Sequence, residues 1–352
     1  MGIKNLNKFL KNKCPEIFST IHLSNFAYKK IVIDVSLYLH KYKAVCGENW
    51  LSAFVNLIIS LRRNNIHICF IFDGQAIPEK AEEHHKRKEE KEKLQTNVNQ
   101  LEEALEEYYQ TNVLPPILVK LYQTYTDNFP PRLLGKTSPI NIDWIKDKIK
   151  KKKNQIINIS AEDFEELKEL FTLFAIPFLT APGEAEKFGA KLCLDGIVDA
   201  ILTDDTDVIA YGAPSFLTKI DTALDTCTMI IYNDILENLN INSSMMLDLC
   251  IMCGTDYNTN INKIGAHNAY KNLLKYGSIE NIASQTSLDT SVIHYTTSRE
   301  IFTTFSGIDT PNIPYSGRPN YSSLHEFFVQ KNININIEKI KKIYQPNILI
   351  TE

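Results

Sequence analysis

The sequence lacks a long uninterrupted apolar run. We find no stretch that is long enough to span a bilayer, which argues against a membrane protein. The first ten residues, MGIKNLNKFL, are polar and amphipathic and do not have the pattern of a secretory signal. We therefore expect a protein without a membrane partner.

Cysteine is sparse and scattered. The seven cysteines are odd in number and show no spacing typical of a disulfide framework, so we expect a reduced, intracellular protein. Cys250 and Cys253 form a CxxC pair. A zinc site needs four ligands, however, and no second pair or suitably spaced histidine accompanies this one. We interpret both residues as buried helical cysteines.

An excess of positive charge is also missing. The formal net charge is −4, whereas proteins that bind nucleic acids are often basic. This objection weakens if many of the acids are metal ligands, because bound cations restore positive charge locally. The 352 residues, 44% of them hydrophobic, can bury the core of one large or two ordinary domains. We find no internal repeat.

The most informative stretch runs from Gly183 to Asp207. Two glutamates follow a turn that can open a helix, and three aspartates follow the short apolar strand Val198–Leu202; the five acids are Glu184, Glu186, Asp204, Asp205 and Asp207. In an open α/β sheet, ligands bind at the edge where strands end. Acids this close repel one another. A pair of Mg²⁺ ions would remove the conflict and could stabilise the attacking and leaving oxygens of a phosphodiester. The alternative is a solvated acidic loop, since acids at helix starts are common.

Two earlier apolar strands also end on an acid. Ile31–Val35 contains Asp34 at its carboxyl end, and His67–Phe72 is followed by Asp73. One such aspartate is usually a turn former or a helix cap, but two of them together with the acidic stretch suggest that they converge. A further acid, Asp256, follows a predicted helix, Met245–Cys253, for which we expect Ser243 to be the cap.

A highly charged helical pattern extends from Lys80 to about Tyr109, with Glu and Lys at i,i+4 spacing. Such a run is usually a solvated helix. Here four cations follow soon after Asp73 and could hold phosphate oxygens above the metals; they are Lys80, Lys86, Arg87 and Lys88. The segment Leu114–Asn158, which contains Pro130, Pro131 and Pro139, is predicted to be an insertion of mixed loop and helix. Its basic run, Lys148–Lys153, is either a solvated helix end or a contact with the DNA backbone.

Patterns in the second half of the chain predict both helices and strands. Ser160 and Asp163 resemble a capping box, and Ile176–Leu179, Phe216–Ile220 and Met229–Tyr232 are predicted strands. The glycine-containing turn before the predicted helix Asn268–Tyr276 could direct backbone N–H groups at a phosphate, although most helix pairs bind nothing.

Together these motifs resemble one family, the structure-specific 5′ nucleases of the flap endonuclease (FEN/XPG) type. The resemblance runs from MGIKNL to about residue 343 and rests on separated motifs in the right order: MGI, the strand ending in Asp34, FIFDG, APGEAE, TDDTD and CGTDY. It implies an α/β, PIN-like 5′-nuclease fold with a mostly parallel central sheet flanked by helices. It also implies a helical arch insertion and a C-terminal helix–two-turn–helix region.

The resemblance further implies a set of site residues. Seven carboxylates would bind two Mg²⁺ ions, which Mn²⁺ can replace: Asp34, Asp73, Glu184, Glu186, Asp205, Asp207 and Asp256. Asp204 lies outside this set, and we expect it to cap a helix. Lys80 and Arg87 stand where the family places basic residues over the scissile phosphate, and His40 replaces a stacking tyrosine. Contacts with DNA are expected from Gly2, His40, Lys86, Lys88, Lys263, Gly265 and His267, with a K⁺ ion at the hairpin. That hairpin, however, has lost the family's usual basic pair.

We expect one compact catalytic unit with four regions: an N-terminal nuclease region that includes the start of the arch (1–110), an arch or cap insertion (111–158), an internal nuclease region (159–240) and a DNA-binding helix-hairpin-helix and C-terminal helical region (241–352). The expected activity is that of a metal-dependent 5′ flap endonuclease and 5′→3′ exonuclease in replication, repair or recombination. Its substrates would be DNA with 5′ flaps, gaps or nicks, and its products would carry 5′-phosphate and 3′-hydroxyl ends. An exonuclease or resolvase, an inactive scaffold with this fold and an enzyme that cuts RNA are alternatives. We expect a monomer that acts in the nucleus or at a cytoplasmic viral replication site. The helix around Leu324–Phe328 is interpreted as core, and no sliding-clamp tail is expected.

Overall fold

A computed structural model describes residues 2–75, 78–126 and 140–344. Within these residues, seven strands form a single sheet in the order β1-β7-β6-β5-β2-β3-β4. The strands are β1 (Ser19–His22), β2 (Lys30–Asp34), β3 (His67–Phe72), β4 (Phe178–Thr180), β5 (Ala200–Leu202), β6 (Ser215–Asp221) and β7 (Thr226–Ile231).

The centre of the sheet is parallel. Strands β6, β5, β2, β3 and β4 run in one direction, while β7 and β1 add an antiparallel edge. From β2 the chain proceeds outward through β3 to β4, and then returns to the other side of β2 to form β5. The strand order therefore reverses between β2 and β5, which is where an open α/β sheet leaves a crevice for a ligand.

Helices cover both faces of the sheet. In chain order the first α-helices are α1 (Leu6–Lys13), α2 (Val35–Cys46), α3 (Trp50–Arg63), α4 (Ala81–Thr111), α5 (Pro116–Thr126), α6 (Ile142–Lys153), α7 (Ala161–Leu173) and α8 (Ala185–Leu194). They are followed by α9 (Asp207–Ala210), α10 (Tyr232–Leu239), α11 (Ser243–Cys253), α12 (Ala266–Tyr276), α13 (Ile279–Gln285), α14 (Tyr295–Thr303), α15 (Tyr321–Gln330) and α16 (Ile337–Ile343).

Alternate residues of the parallel strands supply two hydrophobic clusters, one on each face. In β3, Phe70 belongs to the cluster that contains residues of α3, α7 and α15, whereas Ile71 belongs to the cluster on the opposite face, which contains residues of α1, α8 and α11. This alternation follows from the period of two of a strand, and its apolar residues on both faces are typical of a buried parallel sheet. The sheet edge that carries the acids is thus supported by packed core on both sides.

The expected insertion contains helices with a hydrophobic cluster of their own. The far half of α4 packs against α5 and α6 through buried residues, namely Leu101, Ala104, Leu118, Tyr122, Ile145 and Ile149. The cluster joins residues on both sides of the expected boundary at 110/111, since α4 continues to Thr111. The prolines Pro130, Pro131 and Pro139 lie outside the described residues. We call α4, α5 and α6 the arch.

The capping box at Ser160 and Asp163 is present, and both CxxC cysteines are buried and free on α11. One cap prediction is wrong: the Asn242 side chain, not Ser243, accepts the hydrogen bond at the start of α11, because Ser243 is already the first residue of the helix.

The predicted core helix around Leu324–Phe328 is α15, and its Phe327 and Phe328 are buried in the cluster that also contains residues of α7. In the described part of the chain, Val35–Arg63 has the length and composition of a membrane span, contrary to the expectation that no such stretch exists. This is weak evidence for a membrane helix, because the segment contains α2 and α3, whose apolar residues pack in the core.

Candidate metal and nucleic-acid site

Three parallel strands bring acids to one edge of the sheet. Asp34 is the last residue of β2, Asp73 directly follows β3, and Asp205 lies shortly after β5. Asp34 also caps α2, since its Oδ1 accepts a hydrogen bond from the Leu37 N–H at 3.1 Å. The carboxyl ends of neighbouring parallel strands meet at the same edge, so residues far apart in sequence become neighbours.

The loops after β3 and β4 are fastened to each other. The Gly74 N–H donates to the Gly183 carbonyl at 2.7 Å, and the Ala185 N–H donates to Asp73 Oδ1 at 2.9 Å. A Cβ at Gly74 would lie 2.0 Å from the carbonyl oxygen of Ala181, so only glycine permits this approach. The contact fixes Asp73 beside the start of α8, where Glu184 and Glu186 stand.

These acids surround a cavity of about 400 Å³. Six of the seven predicted carboxylates line it, together with both predicted cations and His40: Asp34, Asp73, Glu184, Glu186, Asp205, Asp256, Lys80 and Arg87. The seventh, Asp207, does not line the cavity and is only 3% exposed. We call these seven acids the carboxylate floor.

Several floor acids resist ionisation. Burial, together with the charge of Asp73, raises the pKa of Asp34 to about 7. Burial and the charges of Asp34 and Asp205 raise the pKa of Glu186 well above its usual range. Burial and the Asp205 charge do the same for the pKa of Asp207. A divalent cation would relieve this conflict, since an opposite charge favours the ionised form.

The donor set suits a hard cation. The floor offers carboxylate oxygens alone, which Mg²⁺ prefers, and the buried Asp207 Oδ1 has no hydrogen-bond partner. Within the ranges that the structure describes, no three His, Cys, Asp or Glu side chains form a ready chelating group. The acids instead stand around the cavity wall, which suits an ion that keeps several of its water ligands.

Two cations from the start of α4 face the floor. Lys80 is paired with Glu184 and lies 3.2 Å from Asp256 Oδ2, while an Arg87 guanidinium nitrogen lies 2.8 Å from the same oxygen. Burial by itself lowers the pKa of Lys80, but the charges of Glu184 and Asp256 raise it above its usual value. Both side chains therefore stay positive, and both line the cavity together with the acids.

The N-terminal segment lies against the floor. The Ile3 N–H donates to Thr206 Oγ1 at 2.8 Å, and the Lys4 N–H donates to the Gly254 carbonyl at 3.1 Å. Gly2 has φ +85°, and a Cβ there would lie 2.0 Å from Asp205 Oδ1. The close approach to Asp205 is itself a reason for glycine at position 2, independent of the expected DNA contact.

The prediction that Asp204 caps a helix is wrong. Its carboxylate pairs with Lys41 at 2.7 Å and accepts hydrogen bonds from Thr218 Oγ1 and the Lys219 N–H, while α9 begins after Thr206 with no side-chain cap. Asp204 thus faces away from the cavity, and its lowered pKa reflects these hydrogen bonds outweighing the effect of burial.

The other expected DNA-contact residues are exposed. His40 lies at the cavity edge, whereas Lys86 and Lys88 are exposed on α4 and do not line the cavity. Lys263 adopts φ +62° in the connection between α11 and α12. At the start of α12, Gly265 and His267 line an open groove shared with α1.

Two residues that contact the carboxylate floor were not predicted from the sequence. The hydroxyls of Tyr211 and Tyr257 both donate to Glu184 Oε2. Tyr257 directly follows Asp256, so its neighbourhood could have drawn attention to it. Nothing in the sequence around Tyr211 indicates this contact.

Comparisons with known proteins show which chains this one is similar to. The chain matches the models of the XPG N-terminal domain over residues 1–94 and the XPG I-region over residues 175–256. A protein of Invertebrate iridescent virus 6, described as a probable RAD2-like endonuclease, is 31% identical over 97% of this chain and 91% of its own length. The catalytic core of Rad2, solved in complex with DNA substrate, superposes with a TM-score of 0.66 at 18% identity over 97% of this chain and 98% of that one. The flap endonuclease-1 from Methanococcus jannaschii gives a TM-score of 0.59 at 22% identity over 93% and 95% of the two chains.

Proposed function

Because the chain belongs to the XPG and flap endonuclease family of structure-specific nucleases, enzymes that hydrolyse phosphodiester bonds, we propose that it is a divalent-metal-dependent 5′ nuclease. Its substrates would be DNA molecules with a 5′ flap, gap or nick. It would act as a monomer, and its similarity to an iridescent virus protein supports a role at a viral replication site.

One observation carries this proposal. Six acids from five separate parts of the chain line one cavity together with Lys80 and Arg87. A structural role alone would not favour this cluster, because burial and mutual repulsion raise the pKa of Asp34, Glu186 and Asp205. Perturbed acids in a cleft are typical of functional sites.

The carboxylate floor would hold two Mg²⁺ ions, for which Mn²⁺ can substitute. When bound, such ions supply an activated water and neutralise the charge that develops on the phosphate during hydrolysis. The chain itself fixes the positions of the carboxylates. The hydrophobic core on both sides of the sheet keeps these positions constant.

Lys80 and Arg87 would stabilise the phosphate in the transition state. They neutralise Glu184 and Asp256 in the absence of substrate, and these contacts keep them poised at the cavity. Once the carboxylates are neutralised by other cations, the two side chains can donate to phosphate oxygens. If water attacks the phosphorus and the bond to the 3′ oxygen breaks, the departing 3′ oxygen takes up a proton, and the products carry a 5′-phosphate and a 3′-hydroxyl.

Duplex DNA would lie along the groove between α1 and α12. The groove is lined by Lys8, Lys13 and His267. The N-cap residue of α12 is Gly265, which has no side chain to cap the helix, so the first N–H groups of α12 can bind a phosphate, with a K⁺ ion nearby. Lys263 would add a backbone contact there, as would Lys86 and Lys88 on α4, while His40 would stack on the terminal base.

The test is a panel of labelled substrates. We expect Mg²⁺-dependent cleavage of a 5′-flap DNA near its junction, weaker cleavage of nicked and blunt duplexes, and no cleavage with EDTA. Cleavage that persists in EDTA, or the absence of any DNA cleavage with Mg²⁺ or Mn²⁺, would overturn the proposal. Faster cutting of a matched RNA strand would reassign the substrate.

A further inference from the structure

Two tyrosine hydroxyls meet on one oxygen of Glu184. Tyr211 O–H donates to Glu184 Oε2 at 2.9 Å, and Tyr257 O–H donates to the same atom. The two phenol oxygens lie 3.1 Å apart. The other oxygen, Oε1, is paired with Lys80. The carboxylate is therefore held with one oxygen toward the tyrosines and the other toward the cavity.

The tyrosine rings are themselves held in place. Phe302 of α14, which is 1% exposed, packs with its ring centre 4.9 Å from that of Tyr211 and 5.3 Å from that of Tyr257. The Lys80 ammonium lies 5.2 Å from the centre of the Tyr257 ring, a favourable cation–π distance. A tightly packed aromatic cluster thus determines where both hydroxyls point.

We infer that Tyr211 and Tyr257 are positioning residues for Glu184, which orient its carboxylate so that Oε1 remains available to a divalent cation. The inference rests on the proposed function, because Glu184 has this role only if the floor binds metal. Side chains that orient a ligand are a regular part of metal sites, and their loss typically lowers metal affinity or activity by about 10- to 100-fold.

The chemistry of the pair suits this task. An ordinary phenol has a pKa of about 10, so both hydroxyls are hydrogen-bond donors at neutral pH. A phenol carries no charge and donates its hydrogen bond to Oε2. It therefore does not compete with a metal ion for Oε1. Lys80, by contrast, must give up Oε1 when the site is filled.

The experiment compares Tyr211→Phe and Tyr257→Phe with the wild type. Mn²⁺ binding is measured without DNA by electron paramagnetic resonance of the free ion. We expect about tenfold weaker binding in each variant, because the carboxylate loses a fixed orientation while the ring packing is kept. The control is Tyr270→Phe on α12. It removes a buried hydroxyl that donates to the carbonyl of Leu239, on α10, at 2.7 Å. It should leave Mn²⁺ affinity unchanged.

Steady-state kinetics on the 5′-flap substrate provide a second measurement. We expect kcat to fall at limiting Mg²⁺ and to recover at high Mg²⁺, while KM for DNA stays constant. If both variants match Tyr270→Phe in Mn²⁺ affinity while the wild type binds Mn²⁺ and cleaves DNA, the inference is wrong and the proposed function stands. If the wild type binds no Mn²⁺ and cleaves nothing, the proposed function and this inference fail together.

Discussion

The carboxylate floor and the cations above it reach the same cavity from different supports. The floor acids lie near the ends of strands and helices that are packed into the two large clusters of the sheet. Lys80 and Arg87 lie at the start of the arch, whose far end is packed around a small cluster of its own. The acids therefore have positions fixed by the sheet, whereas the position of the cations also depends on the arch. Their contributions should be separable by substitution.

The largest effect is expected from the floor. Asp205→Asn should lower flap cleavage by roughly a thousandfold or more, because a metal ligand supports several kcal/mol of transition-state charge stabilisation. Binding of flap DNA, measured by fluorescence anisotropy in EDTA, should persist. The adjacent Asp204→Asn is the matched control, since Asp204 bonds to Lys41 and Thr218 outside the cavity. Equal losses in the two variants would remove the distinction between Asp205 and Asp204.

The next effect concerns the cations. Lys80→Met should lower kcat by about a hundredfold, because one donor to a developing phosphate charge is worth about that much. Mn²⁺ binding without DNA should be as tight as in the wild type or tighter, since Lys80 competes for Glu184 and Asp256. Lys93→Met, which alters an exposed lysine on the same helix, is the control. Loss of Mn²⁺ binding in Lys80→Met would mean that floor and cations are not separable.

A third substitution tests the arch as a separate support. Leu118 is fully buried in the arch cluster, and Leu118→Ala should destabilise that cluster by about 2–5 kcal/mol. Hydrogen exchange should quicken in α5 and α6 but not in the sheet, with cleavage reduced about tenfold as Lys80 and Arg87 lose their support.

Leu170→Ala provides the contrast, because Leu170 is equally buried but belongs to the cluster beneath the sheet. It should lower the thermal midpoint of the whole protein. A uniform increase of exchange in Leu118→Ala would show that the arch and the sheet unfold as one unit.

The smallest effect is the pH dependence of the metal-free floor. The folded-state pKa of Asp34 is about 7, above its unfolded value of about 3.9, so the folded state holds this proton more tightly. The free energy of unfolding should therefore fall as pH rises from about 4 to 7. In EDTA, the thermal midpoint should be lower at pH 7.5 than at pH 5.5.

Asp34→Asn isolates this contribution, because the variant keeps the shape of the side chain and removes its titration. Its midpoint should change less between the two pH values than that of the wild type, and added Mg²⁺ should reduce the wild-type slope. If the thermal midpoint changed equally with pH in both proteins, titration of Asp34 would not be the cause of the pH dependence.

The packing of the arch helices could not be predicted from the sequence. The charged pattern from Lys80 onward predicted one long helix, and α4 is that helix. That its far half would bury Leu101 and Ala104 against α5 and α6 was not predicted. Mixed loop and helix, with several prolines, gave no periodicity from which to infer a packed cluster.

Local patterns in the sequence determined which acids end the strands and which residues cap a helix such as α7. Those features depend on neighbours only a few positions away, and the parallel order of the strands then brings the acids to one edge. The tertiary structure alone decided that Asp204 turns toward Lys41, 163 residues away, and that two tyrosines share one oxygen of Glu184. Such partners are chosen by the packing of whole helices against the sheet, which no short stretch of sequence encodes.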